Sequence, residues 1–286
     1  MRRVLLTAGF VMCFAFSVKS QSSEEDFTDW VAFKVKSIDD FFERFNGEQN
    51  TELVSYLSAN YPEKQLTRPQ WIMSLFNRED PGFLTDSGKV AFIQQVTDSV
   101  KPQLLNYKDN FWYAWVDGHV IYKGRRLPLT MVLKVKKSPG GAYSWSIVSA
   151  HASFLSNAGL PSMKLDSLNA DSTQKYFLSP VSHGIDFITL DKFFKSKTKV
   201  RNYLLQQKNN PETEKLVSMI SRGELQFVQV RKIRYYLLQI KGWIVEIDYF
   251  NRPGRNTGWL INRLLPVSPD GKRSFMVNNL YIPMNK

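Results

Sequence analysis

The sequence is poor in residues that bind metals or form disulfides: its 286 residues include one cysteine and three histidines. The cysteine, Cys13, lies in an apolar N-terminal stretch that we expect to be removed, so no disulfide, zinc–thiolate site or cysteine nucleophile is predicted. His119, His151 and His183 follow one another at intervals of 32 residues, whereas helical metal sites place two histidines four residues apart. No metal ion or other cofactor is predicted.

The sequence also lacks the common motifs for phosphate binding and serine hydrolysis. Its glycines never occur in GxGxxG or GxxxxGK spacing, and no GxSxG is present. A nucleotide-binding loop and a nucleophile elbow are therefore not predicted.

The N terminus has the layout of a secretory signal peptide. Arg2 and Arg3 precede an almost unbroken apolar run, Val4–Val18, and polar residues follow it. The run has 15 residues, whereas a bilayer-spanning helix needs about 20. We predict a signal peptide over residues 1–20, cleavage after Ser20, and a secreted or periplasmic protein. A permanent membrane anchor is the alternative.

Positive charge is concentrated in the C-terminal part of the chain. The formal net charge is +12, and residues 201–286 hold 14 Lys and Arg against 6 Asp and Glu. For a secreted protein the available polyanions include lipid head groups and acidic glycans. The alternative is a solvated basic surface that aids solubility. The candidate binding residues are Arg231, Lys232, Arg234, Tyr236, Arg252, Arg255 and Arg263.

Two pairs of residues are candidates for acid–base chemistry. Asp117 and His119 flank a glycine, which indicates either a turn between strand halves or an acid–base pair at the rim of a pocket. Glu246 and Asp248 share one face of a predicted strand, and paired carboxylates can cleave glycosides. Because two of the candidate cations lie on a common face of the preceding predicted strand, a surface ion-pair ladder is the alternative.

Helices followed by antiparallel strands occur in both halves of the chain. Phe41, Phe42 and Phe45 follow Ile38 at helical spacing, and apolar residues alternate with polar ones over Leu127–Val135, as in a strand. We predict an acidic lead-in over residues 21–29, a first α+β domain over 30–151, a loop region over 152–184 and a second, basic α+β domain over 185–286.

The second half repeats this order of elements. A helix is predicted over Pro211–Ile220, and the strands that follow are predicted over Leu225–Ile240, Trp243–Phe250, Trp259–Val267 and Ser274–Ile282. In each half a Lys-Gly turn joins the first two strands, at 123–124 and at 241–242. The pattern predicts an internal duplication, with one larger α+β domain as the alternative.

This order resembles the nuclear-transport-factor-2-like fold, also called SnoaL-like, in which a bent sheet wraps around helices and forms a cone with a pocket. The resemblance rests on residues 38–46 as first helix and on Trp115, Leu133 and Trp145 on the sheet. It implies two such cones in tandem. Such families include isomerases, dehydratases and secreted modules without known catalysis. Their enzymes use Asp–His or Tyr–Asp pairs inside the cone, and the sequence does not identify which residues would form such a pair here.

The expected function is that of a non-enzymatic binding or assembly module at the cell envelope. The expected partner is an envelope protein or an anionic glycan or lipid surface, with peripheral membrane association and no specific nucleic acid. The alternative is a pocket enzyme, an isomerase or hydrolase that acts on a small or glycan substrate.

Overall fold

The computed structural model describes residues 33–48, 52–62, 65–79, 85–137, 143–156, 190–195, 200–204 and 210–283. The predicted signal peptide and acidic lead-in lie outside these ranges, as does the predicted loop region from residue 157 onward. Within the described ranges, no helix combines the length and the apolar character that a membrane span requires.

In the described part of the chain, four helices precede the first strand. The first begins after Ser37, whose hydroxyl accepts a hydrogen bond from the Asp40 amide at 3.1 Å, and it ends at Gly47, where φ is 73°. Phe41 and Phe45 on this helix are fully buried, as their spacing predicts. The helices are α1 (Ile38–Asn46), α2 (Glu52–Asn60), α3 (Arg68–Ser74) and α4 (Asp86–Val96).

One arginine joins these helices to the segment that leads into the sheet. The guanidinium of Arg68 donates hydrogen bonds to the carbonyl oxygens of Phe45, Val96 and Gln103, at 3.0, 2.9 and 2.5 Å. The first two carbonyls lie at the C-terminal ends of α1 and α4, where a cation is favoured by the helix dipole. Burial lowers the pKa of Arg68 from its ordinary value. Arg68 therefore fixes the relative positions of the two helices.

All six strands join one antiparallel sheet, in the order β3-β2-β1-β4-β5-β6. Register shifts between β1 and β4, at Asp117/Gly118 and at His119/Val120, mark bulges, which bend a sheet locally. The strands are β1 (Trp112–Tyr122), β2 (Arg125–Lys137), β3 (Tyr143–His151), β4 (Leu225–Leu237), β5 (Trp243–Phe250) and β6 (Gly258–Pro266).

The predicted α+β class, with helices ahead of a curved antiparallel meander, is confirmed. Each half of the chain contributes three strands, and β1 pairs with β4 along its whole length. The strands of both halves thus share one sheet, and two separate cones are not seen. The strand predicted over Ser274–Ile282 is wrong, because residues Pro269–Asn278 form a helix.

The remaining helices come before and after the second meander in the chain. Asn210 caps the longest of them through a hydrogen bond from the Thr213 amide to its side-chain oxygen, at 2.7 Å, with Pro211 in the first turn. The helices are α5 (Ser153–Ser156), α6 (Leu190–Lys195), a 3-10 helix (Val200–Tyr203), α7 (Pro211–Ser221) and α8 (Pro269–Asn278).

The main core lies between the helices and one face of the sheet. Trp112, which is fully buried, contacts Phe42, Trp145 and Tyr235 with ring centroids 5.2, 4.5 and 5.9 Å apart. Tyr235 also packs on Trp259, at 4.9 Å. These aromatic side chains come from α1 and four strands, so they bind the two halves into one core.

A smaller apolar cluster lies on the opposite face of the sheet. Tyr113 and Tyr236 alternate with the residues that face the main core, and they pack there with Leu280 and Ile282 from the segment after α8. The Ser149 hydroxyl donates to the Leu280 carbonyl at 2.6 Å. The C-terminal segment therefore crosses this second face and covers part of it.

Candidate functional site

Charged residues of β4 and β5 form a ladder of ion pairs on the second face. Lys232 Nζ lies 3.0 Å from Asp248 Oδ2, and Arg234 contacts both Asp248 oxygens, at 2.9 and 3.1 Å. Arg234 Nε also lies 3.2 Å from Glu246 Oε1. The Asn262 amide donates to Asp248 Oδ2 at 3.0 Å. The sequence-based alternative of an ion-pair ladder therefore describes the contacts of Glu246 and Asp248.

The ladder holds its carboxylates almost out of solvent. The side chains of Asp248 and Glu246 are 4% and 8% exposed, whereas those of Arg234 and Lys232 are 27% and 48% exposed. Burial opposes the charge of Arg234, but hydrogen bonds to Asp248 and Tyr236 outweigh this effect and raise the pKa of the guanidinium. Burial also raises the pKa of Tyr236. The two cations are thus committed to neighbouring carboxylates.

Asp117 and His119 do not form a turn, because both lie within β1. Asp117 Oδ1 accepts hydrogen bonds from Trp115 Nε1 at 2.9 Å and from the Thr130 hydroxyl at 2.7 Å. His119 instead contacts Arg126. The structure therefore gives these two candidates separate partners.

A basic cluster surrounds His119 near the β1–β2 hairpin. Arg126 Nη2 lies 3.0 Å from His119 Nδ1. Arg231 lies nearby on β4, at the bulge where β4 pairs with β1, and its charge acts on the same imidazole. Partial burial lowers the pKa of His119, and the charges of Arg126 and Arg231 lower it further. Arg125, which precedes Arg126 at the start of β2, is exposed as well. We call Arg125, Arg126 and Arg231 with His119 the hairpin cluster.

Unlike the ladder, the hairpin cluster has no carboxylate partner among the described residues. In the residues that the structure describes, Arg125, Arg126 and Arg231 form no ion pair with a carboxylate. Of these three arginines, sequence reasoning selected only Arg231. The others lie in the half of the chain where the charges nearly balance.

The remaining predicted binding residues lie elsewhere on the sheet. Arg252, in the turn between β5 and β6, lies 3.0 Å from Glu79 and donates to the Asn77 side chain at 2.7 Å. Arg255, in the same turn, is stacked over the Phe33 ring at 5.0 Å. Arg263 is exposed on β6, opposite Glu246 in the strand register. The seven predicted residues are thus divided among the hairpin cluster, the ladder with Arg263 beside it, and the β5–β6 turn.

A cleft of about 580 Å³ lies between the end of β3, the start of α7 and the C-terminal segment. His151 Nδ1 lies 2.8 Å from Glu212 Oε2, and the Ser156 hydroxyl donates to Glu212 Oε1. The Tyr281 ring stacks on the imidazole, with centroids 4.4 Å apart and an interplanar angle of 16°. Sequence reasoning missed this site because His151 and Glu212 are 61 residues apart and no short motif links them.

No metal site is evident in the described ranges, where no group of three or more His, Cys, Asp and Glu side chains could hold an ion. Comparison with known proteins found no matching family model, no matching curated protein and no matching solved structure.

Proposed function

We propose that this protein is an envelope-binding module that attaches to a surface bearing clustered sulfate or phosphate groups. The observation that carries the proposal is the hairpin cluster: the exposed Arg126 contacts His119, the exposed Arg231 acts on the same imidazole, and neither arginine has a carboxylate partner among the described residues. Arginine is suited to this task because its planar guanidinium binds sulfate or phosphate oxygens in pairs.

The contrast with the ladder supports this assignment. A cation that already contacts a buried carboxylate must lose that contact before it can bind an external anion, as would Arg234 with Asp248. Arg126 and Arg231 have no such contact to lose among the described residues. Burial and then the charges of Arg126 and Arg231 lower the pKa of His119, and two neighbouring cations create a positive potential that an anion would relieve.

The remaining parts of the proposal concern location and ancestry. The N-terminal sequence supports secretion, with cleavage after Ser20. We also propose that the two halves arose by duplication, because β3-β2-β1 and β4-β5-β6 are two meanders that extend outward from a central β1–β4 pair. Helices precede each meander. In this view the two nuclear-transport-factor-2-like units share one sheet.

The test compares two double variants that lose the same charge. Arg126→Gln/Arg231→Gln removes the hairpin cluster, whereas Lys101→Gln/Lys241→Gln removes two exposed cations, with Lys241 in the turn at the opposite end of β4. Residues 21–286 are bound to heparin resin and, separately, to vesicles of phosphatidylglycerol or of phosphatidylcholine. At about 1 kcal/mol per surface cation, the hairpin variant should bind phosphatidylglycerol about 30-fold more weakly.

The outcomes separate the sources of the anion. If the hairpin variant binds both heparin and phosphatidylglycerol more weakly, the cluster recognises anionic groups in general. Weaker binding to heparin alone indicates a glycan, and weaker binding to phosphatidylglycerol alone indicates a lipid. Vesicles of phosphatidylcholine should bind neither the unchanged protein nor the two double variants. Equal losses in the two double variants would overturn the proposal, because they would mean that net charge alone drives attachment.

A further inference from the structure

In the cleft at the end of β3, the Nε2 atom of His151 has no hydrogen-bond partner among the described residues. The Nδ1 atom of His151 contacts Glu212, and the other Glu212 oxygen accepts from Ser156. When the carboxylate holds the proton on Nδ1, Nε2 of the neutral imidazole carries the lone pair. The Lys215 ammonium is also engaged, because it donates to the Leu155 carbonyl at 2.9 Å.

The wall next to the imidazole is formed by Tyr281, whose ring stacks on His151. Tyr281 has a φ of 54°, which is unusual for a residue other than glycine. The strain is held by hydrogen bonds: Asn210 Nδ2 donates to the Tyr281 carbonyl at 3.0 Å, and the Ile282 amide donates to the Met276 carbonyl at 3.0 Å. Strained residues that are fixed in this way cluster at ligand sites.

We propose that this cleft binds a small, mainly apolar alcohol or phenol. The ligand hydroxyl donates to His151 Nε2, and the ring or chain packs against Tyr281, Val277 and Ile282, which line the cleft. The volume of about 580 Å³ lies within the usual range of small-molecule sites. An anionic ligand is disfavoured because it would meet the Glu212 carboxylate at the same end of the cleft.

The probes are 4-propylphenol and 4-propylanisole, which share the apolar body and differ in the hydroxyl proton. Protein labelled with 15N at histidine is titrated with each and followed by long-range 1H–15N correlation. The Nε2 resonance of His151 should shift saturably with the phenol, and the phenol should bind about 5-fold more tightly than the anisole, the ratio expected for one hydrogen bond. The resonances of His119 should not move.

Two variants test the assignment of the atom. His151→Phe keeps a ring against Tyr281 but lacks the acceptor, so the preference for the phenol should disappear. Glu212→Gln replaces the carboxylate by an amide that can accept from or donate to Nδ1, so the tautomer is no longer fixed and the preference should fall. His119→Gln, in the hairpin cluster, is the control and should bind both probes as the unchanged protein does.

Three results would overturn the inference: no binding of either probe up to its solubility limit, equal affinity for both probes, or a preference for the phenol that survives in a folded His151→Phe variant. The spectrum of the unchanged protein decides the first two without any substitution. A failure of heparin and vesicle binding would leave these measurements unaffected, since the cleft and the hairpin cluster share no residue.

Discussion

Replacement of Arg234 by methionine is predicted to destabilise the fold far more than replacement of Lys232 on the same strand face. Both cations contact Asp248. Arg234 makes two bonds to that carboxylate and one contact to Glu246, and only 27% of its side chain is exposed. Lys232 makes one bond and is 48% exposed. The two substitutions therefore compare the loss of a largely buried ionic contact with the loss of a surface contact.

The magnitude follows from the charges that each substitution leaves behind. Removal of one partner from a buried ion pair costs about 3 to 5 kcal/mol, because the other charge remains buried. After Arg234→Met, Asp248 still has Lys232 and the Asn262 amide within 3.0 Å, so we expect a loss near the lower limit, about 3 kcal/mol. A half-exposed pair contributes less than about 1 kcal/mol, which is the loss expected for Lys232→Met.

Equilibrium unfolding in urea, followed by tryptophan fluorescence, measures both losses. A third protein, Arg234→Met/Asp248→Asn, also removes the buried Asp248 charge, which has lost its main partner, and should recover about 1 to 2 kcal/mol relative to Arg234→Met. Asp248→Asn alone should destabilise the protein, because it leaves Arg234 without its main partner. Opposite effects of one substitution in the two backgrounds would identify charge as the cause, whereas a volume effect would have the same sign in both.

Two results would refute the reasoning. Equal losses for Arg234→Met and Lys232→Met would mean that exposure does not govern the contribution of these pairs. An Asp248→Asn substitution that destabilises the Arg234→Met background as much as the unchanged protein would mean that no unfavourable buried charge remains after Arg234 is removed.

Three further predictions concern other parts of the fold. Gly258→Ala should lower the free energy of unfolding by about 3 kcal/mol or more in thermal unfolding, because the added Cβ would lie 2.1 Å from a backbone oxygen. Gly254 also has a positive φ, but no atom lies within 4 Å of its added Cβ, so Gly254→Ala should cost about 1 kcal/mol. Equal losses in the two variants would contradict this prediction. Arg68→Met should cost about 3 kcal/mol in urea unfolding, since three carbonyls lose a charged donor, and a loss under about 1 kcal/mol would contradict it. The pKa of His119 should rise in Arg126→Gln, because a neighbouring positive charge disappears; an NMR titration without such a rise would remove the electrostatic argument for the hairpin cluster.

Local signals predicted most of the individual elements. The predicted strand Trp243–Phe250 has those bounds in the structure, and Pro211 begins a helix as its preceding asparagine cap indicates. A similar signal was misread near the C terminus. Ser268 caps a helix there by accepting from the Gly271 amide at 3.0 Å, and this helix contains the residues at which the predicted strand Ser274–Ile282 begins.

The arrangement of the strands could not be predicted in the same way. Alternation of apolar and polar residues identifies a strand and its buried face, but it does not identify the neighbouring strand. The β1–β4 pairing joins residues more than 100 positions apart, such as Trp112 and Leu237. The His151–Glu212 contact depends on packing of α7 against β3, so no spacing in the sequence indicates it.

The β1–β4 pairing also gives Arg231 neighbours that charge counted along the chain does not indicate. The C-terminal excess of Lys and Arg suggested a patch built within that part of the sequence. In the sheet, β5 supplies two carboxylates that contact Arg234 and Lys232. In contrast, β1 supplies His119, and this imidazole contacts Arg126 of β2. Whether a strand cation stays available to an outside anion therefore depends on which strand pairs with it. The test of this argument is Arg126, a residue from the nearly neutral half, whose removal should weaken anion binding as much as removal of Arg231.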